Sequence, residues 1–273
     1  MSQWYSYTTW HQMVPFIIGM GDVSGAYETY IATPLNDKGA NGAFFMVTPD
    51  LRFPQGATRA DQQADFAVTS CSSVASVCKR YFRNRPTGND QASGPTWGYS
   101  NYDHTRHYAW RFAGSEVGAT DRTGPFPFMT KAEIDMLQAE GLIRTGSFAA
   151  AAALINNTRV GNGGLPAITA FNNTSPVPGG ANCVPRVPNS TGSAVACGNM
   201  LEAMKWEKRI ETAYTHFGGG YFDSRGWGDL PEGTPTQWAP PYEDLLARGY
   251  AKDAVYSLGG GLPSSAAKGT YGW

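Results

Sequence analysis

Apolar side chains recur at three- and four-residue spacing in two parts of the chain. The clearer one is Leu201 to Leu230, LEAMKWEKRIETAYTHFGGGYFDSRGWGDL. Leu201, Met204, Ile210, Tyr214 and Phe217 fall on one helix face, and Glu202, Lys205, Glu207, Lys208, Arg209 and Glu211 on the other. Gly218, Gly219 and Gly220 are placed to end that helix, because glycine enters left-handed backbone at no steric cost. Tyr221, Phe222, Asp223, Arg225 and Trp227 follow together, which predicts a packed glycine-rich turn rather than a solvated loop.

The second periodic part is residues 129–159, a helix hairpin. Thr130 caps its first helix, and Glu133 three positions on completes a capping box. Ile134, Leu137 and Leu142 supply an apolar stripe, and Gly146 breaks the chain. The second helix starts at Ser147, is alanine-rich through Ala153 and closes with Leu154 and Ile155. Small residues there let two helices approach closely, as in tetratricopeptide hairpins, although such units normally stack in threes or more.

Elsewhere the period shortens. Trp4, Tyr7 and Trp10 stripe a short N-terminal helix face, and FFMV after Ala43 reads as a short buried strand. In YDHTRHYAWRF, Tyr102, His104, Arg106, Tyr108 and Trp110 alternate with Asp103, Thr105, His107 and Arg111. That alternation predicts a β-ribbon, with Lys79–Arg85 pairing to Tyr108–Ala113. Asp50 and Arg52 read as a structural ion pair at a turn. Residues 160–198 read as a long loop closed by Cys183 and Cys197, whose order needs a reason, ligand or partner contact being one. A short helix is expected over Tyr242–Arg248.

Composition narrows the function. The chain has 273 residues, enough for a sizeable core. Charged residues make up 16% and the net charge is -1, so there is no electrostatic footprint for nucleic acid or an anionic membrane. With 33 glycines, 18 prolines and 13% aromatics, the chain reads as long ordered loops pinned by aromatic side chains. Cys71 with Cys78 and Cys183 with Cys197 lack zinc spacing and read as two local disulfides of an oxidising compartment, against four buried thiols. No signal peptide or stretch of transmembrane length is visible.

No G-x-S-x-G elbow or phosphate loop occurs. His104 and His107 with Asp103 make a thin metal set, and hydrogen bonding or stacking is the plainer use of them. Asp223, Asp229 and Glu232 are the crowded carboxylates a secreted hydrolase would use, against ion-paired scaffolding of Asp223 with Arg225 and Glu207 with Arg209. Binding chemistry is better represented. Trp97, Tyr99, Asn101, Tyr102 and Arg106, with Asp103, combine flat aromatic faces with hydrogen-bonding groups, the pairing that holds sugars. The alternative for the aromatics is ordinary loop anchoring.

Two motifs in order resemble the SusD/RagB family of outer-membrane nutrient-binding lipoproteins. EKRIE supplies Glu207, Arg209 and Glu211, and FDSRGWGDL supplies Phe222, Asp223, Arg225, Gly226, Trp227 and Gly228. Ala239, Pro240 and Pro241 stand where that family carries a proline segment, and MTKAEIDMLQAEGLIRTGSFAAAAALINNTR resembles its helix hairpin. Gly141 replaces an alanine of the pattern, and an extra glycine separates Arg225 from Trp227. The resemblance covers roughly the second half of the chain, which therefore looks like the C-terminal part of such a protein or a truncated relative.

The resemblance implies one mainly α, SusD-like domain over 1–273, with a tetratricopeptide-type helix hairpin, long irregular loops and a small β-ribbon. Within it, 60–128 is the irregular ligand-facing region, 129–159 the hairpin and 199–230 the signature helix and turn. Glu207, Arg209, Asp223, Arg225 and Trp227 are its structural signature. It implies a non-enzymatic protein without a cofactor, on the outer membrane at the cell surface. Such a protein captures an oligosaccharide or other nutrient for a SusC-like TonB-dependent transporter, with the hairpin face Ile134–Arg144 as docking surface. The alternative is a structural or assembly protein that keeps the scaffold without sugar binding.

Overall fold

A computed structural model of the chain describes residues 13–34, 37–38, 43–69, 80–85, 100–106, 128–189, 191–215, 219–230, 234–236 and 241–249. The described helices are α1 (Pro15–Ile18), α2 (Ala26–Ala32), α3 (Arg59–Thr69), α4 (Lys131–Arg144), α5 (Phe148–Gly161), α6 (Met200–Glu211), α7 (Gly219–Trp227) and α8 (Tyr242–Ala247). Antiparallel ribbons join β1 (Phe82–Asn84) to β2 (Tyr102–His104), and β3 (Arg186–Pro188) to β4 (Val195–Cys197). The architecture is mainly helical with small β-ribbons.

The fold is organised around α6. Asn199 caps it, its side chain accepting from the Glu202 N–H at 3.1 Å. Met200, Ala203 and Met204 pack on Met136, Ala139 and Ile143 of α4 and Ala151, Ala152 and Ile155 of α5. Trp206 and Ile210 enter a second, aromatic core with Phe16, Tyr27, Phe44, Phe53, Phe82 and Tyr102. The Phe53 and Phe82 rings stack there with centroids 4.3 Å apart. Joining two cores leaves α6 no solvent side: Lys205, Glu207, Lys208, Arg209 and Glu211 are all buried. Its charged face meets other protein.

The hairpin forms as the capping pattern predicts, with Thr130 Oγ1 accepting from the Glu133 N–H at 3.2 Å. Its apolar stripe is corrected. Met136, Ala139 and Ile143 face inward, whereas Ile134 is 52% and Leu137 48% exposed. Each residue turns a helix by about 100°, so a stripe displaced by one or two positions lies on another side. Ala151 and Ala152 are buried against α4, which is where small side chains permit close approach.

Four further expectations change. The helix beginning at Met200 stops at Glu211 rather than near Phe217, because Tyr214 takes a left-handed backbone, φ 63°. The glycine-rich turn is instead helical over Gly219–Trp227. Glycine disfavours helix by about 1 kcal/mol per residue, and docking onto α6 through Asp223, Ser224 and Asp229 overrides it. The ribbon partner of Phe82–Asn84 is Tyr102–His104, not Tyr108–Ala113, and that latter segment lies outside the described residues. The FFMV strand reduces to one bridge, Phe44 to Ser100.

The loop 160–198 carries the β3–β4 ribbon and the disulfide Cys183–Cys197. Cys183 is fully buried beside Ile168, Val177 and Met200, so the bridge pins the loop to the hairpin core. Cys71 and Cys78 lie outside the described residues, as do Trp4, Tyr7 and Trp10. With a sequence separation of 14 between the bonded cysteines, replacing Cys183 and Cys197 by serine is expected to cost about 3 kcal/mol. Urea denaturation of the double variant checks this: the midpoint falls if the bridge constrains the unfolded chain, and stays in place if it does not.

Candidate functional site

The turn at residues 48–52 aims two charges inward. Thr48 Oγ1 accepts from the Asp50 N–H at 3.2 Å, and Asp50 Oδ1 accepts from the Arg52 N–H at 3.0 Å, a local side-chain-to-backbone turn. Arg52 is fully buried, and all five of its guanidinium N–H groups are used. Nε and Nη2 donate to Asp50 at 2.9 and 2.6 Å. Nη1 donates to Glu207 at 2.7 Å and Glu211 at 3.0 Å, and Nη2 donates to Glu207 at 3.0 Å. The expected Asp50–Arg52 pair is therefore real, and it is the near half of a cluster closed by α6.

The carboxylates have further donors. Trp206 Nε1 donates to Asp50 at 2.9 Å. Glu211 also accepts from Arg106 Nη1 at 3.0 Å and Asn162 Nδ2 at 2.9 Å, with the Tyr81 hydroxyl at 3.2 Å. Burial opposes the charge of Arg52, but Asp50, Glu207 and Glu211 overcome it and hold the guanidinium above its ordinary pKa. Burial, offset in part by Arg52, raises the Glu207 carboxyl. Buried Arg159 donates to the carbonyls of Pro166 and Val184 and adds a third positive charge near Glu207 and Asp50. Three carboxylates thus meet the guanidiniums of Arg52 and Arg106, with that of Arg159 nearby, an arrangement that fixes position.

A second set of charges docks α7. Lys208 donates to Asp223 at 2.7 Å, Arg209 to Asp229 at 2.7 Å, and Lys205 to Glu202 at 2.7 Å. Trp227 lies against all three cations, with Arg209 Cζ 5.2 Å from its ring centroid, and its Nε1 donates to Glu140 of α4 at 3.1 Å. The expected pairings are corrected. Asp223 pairs with Lys208 rather than Arg225, and Glu207 with Arg52 rather than Arg209. Neighbours in sequence point to different sides of a helix, so the partners come from other elements. Asp223 and Asp229, the crowded carboxylates, each hold a basic side chain of α6, and Glu232 lies outside the described residues.

The expected sugar-binding residues divide. Trp97 and Tyr99 lie outside the described residues. Asn101 and Tyr102 do not face outward, correcting their reading as ligand contacts. Tyr102 is fully buried, its hydroxyl 2.8 Å from Gln62 Oε1 and 2.9 Å from the Met46 carbonyl. The Asn101 amide nitrogen donates to the carbonyls of Ala43 and Phe44, and its oxygen accepts from Arg59. Arg106 stacks over the Tyr81 ring and pairs with Glu211. Asp103 is held by Arg83 at 2.8 Å and Arg85 at 3.3 Å. His104 stacks on Tyr214, His107 lies outside the described residues, and among the described residues no cluster suits a metal ion.

A recess of about 90 Å³ opens between the loop Ile168–Pro178 and Met200, smaller than the roughly 300 Å³ of small-molecule pockets. Among the described residues, no helix is long and apolar enough to cross a membrane. Compared with family models, characterised proteins and solved structures, the chain matches none.

Burial raises the phenol pKa of Tyr27, Tyr30, Tyr81, Tyr102 and Tyr214 above the usual 10.0. The folded chain keeps these protons at pH values where the unfolded chain releases them. Their contribution to stability is therefore full below about pH 10 and is lost as pH rises beyond it. Urea midpoints at rising alkaline pH, followed with phenolate absorbance, check this. Phenolate signal from these tyrosines is expected to appear with unfolding, and their smooth ionisation in the folded chain would contradict it.

Proposed function

We propose that the chain is a cell-surface nutrient-binding protein that captures oligosaccharide at the outer membrane. It passes the ligand to a SusC-like, TonB-dependent transporter, and it does so without catalysis. One observation carries the reading: the aromatic segment that includes Trp97 and Tyr99 joins the frame at a buried, densely hydrogen-bonded point. Ser100 bridges Phe44, the Asn101 N–H donates to the Phe44 carbonyl at 2.8 Å, and the Arg85 N–H donates to the Asn101 carbonyl at 2.7 Å. A rigid frame flanking a stretch of sequence rich in Trp, Tyr and hydrogen-bonding residues suits a binding site. The inward pairing of Glu207, Asp223 and Asp229 supports their role as scaffold.

Calorimetric titration against plant, algal and host oligosaccharides tests this. Saturable binding without product formation is expected, weakened about tenfold or more in Trp97→Ala, the effect of losing about 1.4 kcal/mol. A folded chain that binds no oligosaccharide overturns the reading.

The second reading, a structural or assembly protein, rests on the outer side of the hairpin. Phe128 is 78% and Met129 54% exposed, and they lead into exposed Ile134 and Leu137. Contiguous exposed apolar side chains mark protein contacts. This reading expects self-association that Leu137→Asp abolishes, read by sedimentation velocity, with no saturable sugar binding.

A further inference from the structure

We infer that α7 carries a second ligand site, a surface platform for an acidic saccharide, made by Phe222 and Arg225. The inference takes from the capture reading only that the ligands are saccharides.

Phe222 is 63% exposed although it belongs to a helix whose other large aromatic side chains are at least partly covered. Its ring is not overhung by its own helix. The position one turn on is Gly226, and a Cβ built at Gly226 or at Gly220 meets nothing within 4 Å. An aromatic face flanked by glycines in open space is accessible to a flat ring. The C–H face of a pyranose is such a ring, and aromatic side chains bind it by stacking.

Beside it stands a cation that the interior does not neutralise. The other basic residues of this region, Lys205, Lys208 and Arg209, all hold carboxylates of α6 or α7 or of the turn after it. Exposed Arg225 has no carboxylate partner among the described residues. It is nonetheless fixed in place, because Nη1 donates to the Tyr221 hydroxyl at 3.1 Å and to the Thr236 carbonyl. Tyr221 in turn donates to the Pro235 carbonyl at 2.7 Å and packs edge-on against Phe222, with ring centroids 5.4 Å apart. One tyrosine therefore sets both the aromatic face and the guanidinium. Phe222 and Arg225 are three apart on a helix, so their Cβ atoms are about 5–6 Å from one another.

Nε and Nη2 of Arg225 make no hydrogen bond among the described residues. Those two donors lie on one edge of the guanidinium, the geometry that grips a carboxylate with two parallel bonds. A ring to stack on Phe222 that also bears a carboxylate about one ring-width away is a uronic acid residue. A neutral sugar offers Arg225 only hydroxyls.

The test is calorimetric titration of the whole chain with an oligogalacturonate and with the neutral galactose oligomer of equal length. Wild type, Phe222→Ala, Arg225→Gln, Arg225→Lys and Trp97→Ala are compared, with thermal melts showing each folded. The expected result is tighter binding of the acidic oligomer by wild type. Phe222→Ala and Arg225→Gln each lose about tenfold or more of it, as expected for about 1.4 kcal/mol, Arg225→Lys loses less than Arg225→Gln, and Trp97→Ala weakens binding of the neutral oligomer. Equal affinity for both oligomers, or acidic binding unchanged in Phe222→Ala and Arg225→Gln, overturns the inference while leaving capture by the Trp97 segment standing. Acidic binding that needs Phe222 and Arg225, with no neutral binding and no effect of Trp97→Ala, upholds the inference and overturns the Trp97 site. A folded wild type that binds neither oligomer overturns the inference, and the wider panel decides the capture reading separately.

Discussion

Replacing Arg52 by methionine is expected to lower stability by about 3–5 kcal/mol, the cost of breaking a buried ion pair by removing one partner. The guanidinium donates to Asp50, Glu207 and Glu211 at once, and it is fully buried. Methionine fills much of its volume but leaves three carboxylates facing one another, with Arg106 on Glu211 and nearby Arg159 as the remaining cations. Urea denaturation at pH 7 reads the loss. The pattern of rescue separates charge from packing: Glu207→Gln in the Arg52→Met background removes one uncompensated charge and should recover part of the stability. A loss below about 1 kcal/mol, the value typical of an exposed pair, would mean that the cluster does not hold the frame.

Trp206→Ala is expected to cost about 3–5 kcal/mol. Its indole is fully buried and stacks toward Phe53 with ring centroids 6.2 Å apart. Gly21 lies so close that a Cβ there would come within 2.8 Å of the indole. Backbone fitted to the ring on that side does not readily collapse into the space the ring leaves. The indole also donates to Asp50, so Trp206→Phe isolates the hydrogen bond from the volume. That variant should lose about 1.5–3 kcal/mol, the worth of a hydrogen bond to a charged group, with Arg52 still donating to Asp50. Equal losses in the two variants would assign the effect to the bond, and a negligible loss in Trp206→Phe would assign it to packing alone.

Much of this frame was legible because its signals are local. The Thr130 cap, the alanine-rich second helix and the Asp50–Arg52 turn each depend on residues within a few positions of one another. What was not legible depends on distance. Arg52 and Glu207 are 155 residues apart, and nothing in either neighbourhood names the other. The charged side of α6 looked ordinary in sequence, yet it is buried because two cores close on one helix. Helix α7 was hidden by its glycines, whose propensity is overruled by charge pairs to α6. The ribbon pairs only three residues a side, too few for alternation to fix register.

The candidate site was legible as a composition and not by residue. Composition around Trp97–Arg106 marks aromatic and polar groups but does not separate a ring that meets ligand from one that plugs a core. Tyr102 plugs the core and Asn101 ties the chain to Phe44 and Arg59. Both are frame, Arg106 is held by Glu211 and Tyr81, and the ligand contacts of the proposed function narrow to Trp97 and Tyr99. The exposure of Phe222 had no sequence signal beyond the glycines flanking it.

The frame is proposed to hold the Trp97 segment for saccharide. Oxidative footprinting of the whole chain tests it most directly, with and without the oligosaccharide that binds tightest in the calorimetric panel. Trp97 and Tyr99 are expected to lose reactivity on binding while Tyr102, buried already, stays unreactive in both states. Unchanged reactivity at Trp97 and Tyr99 under saturating saccharide would contradict it.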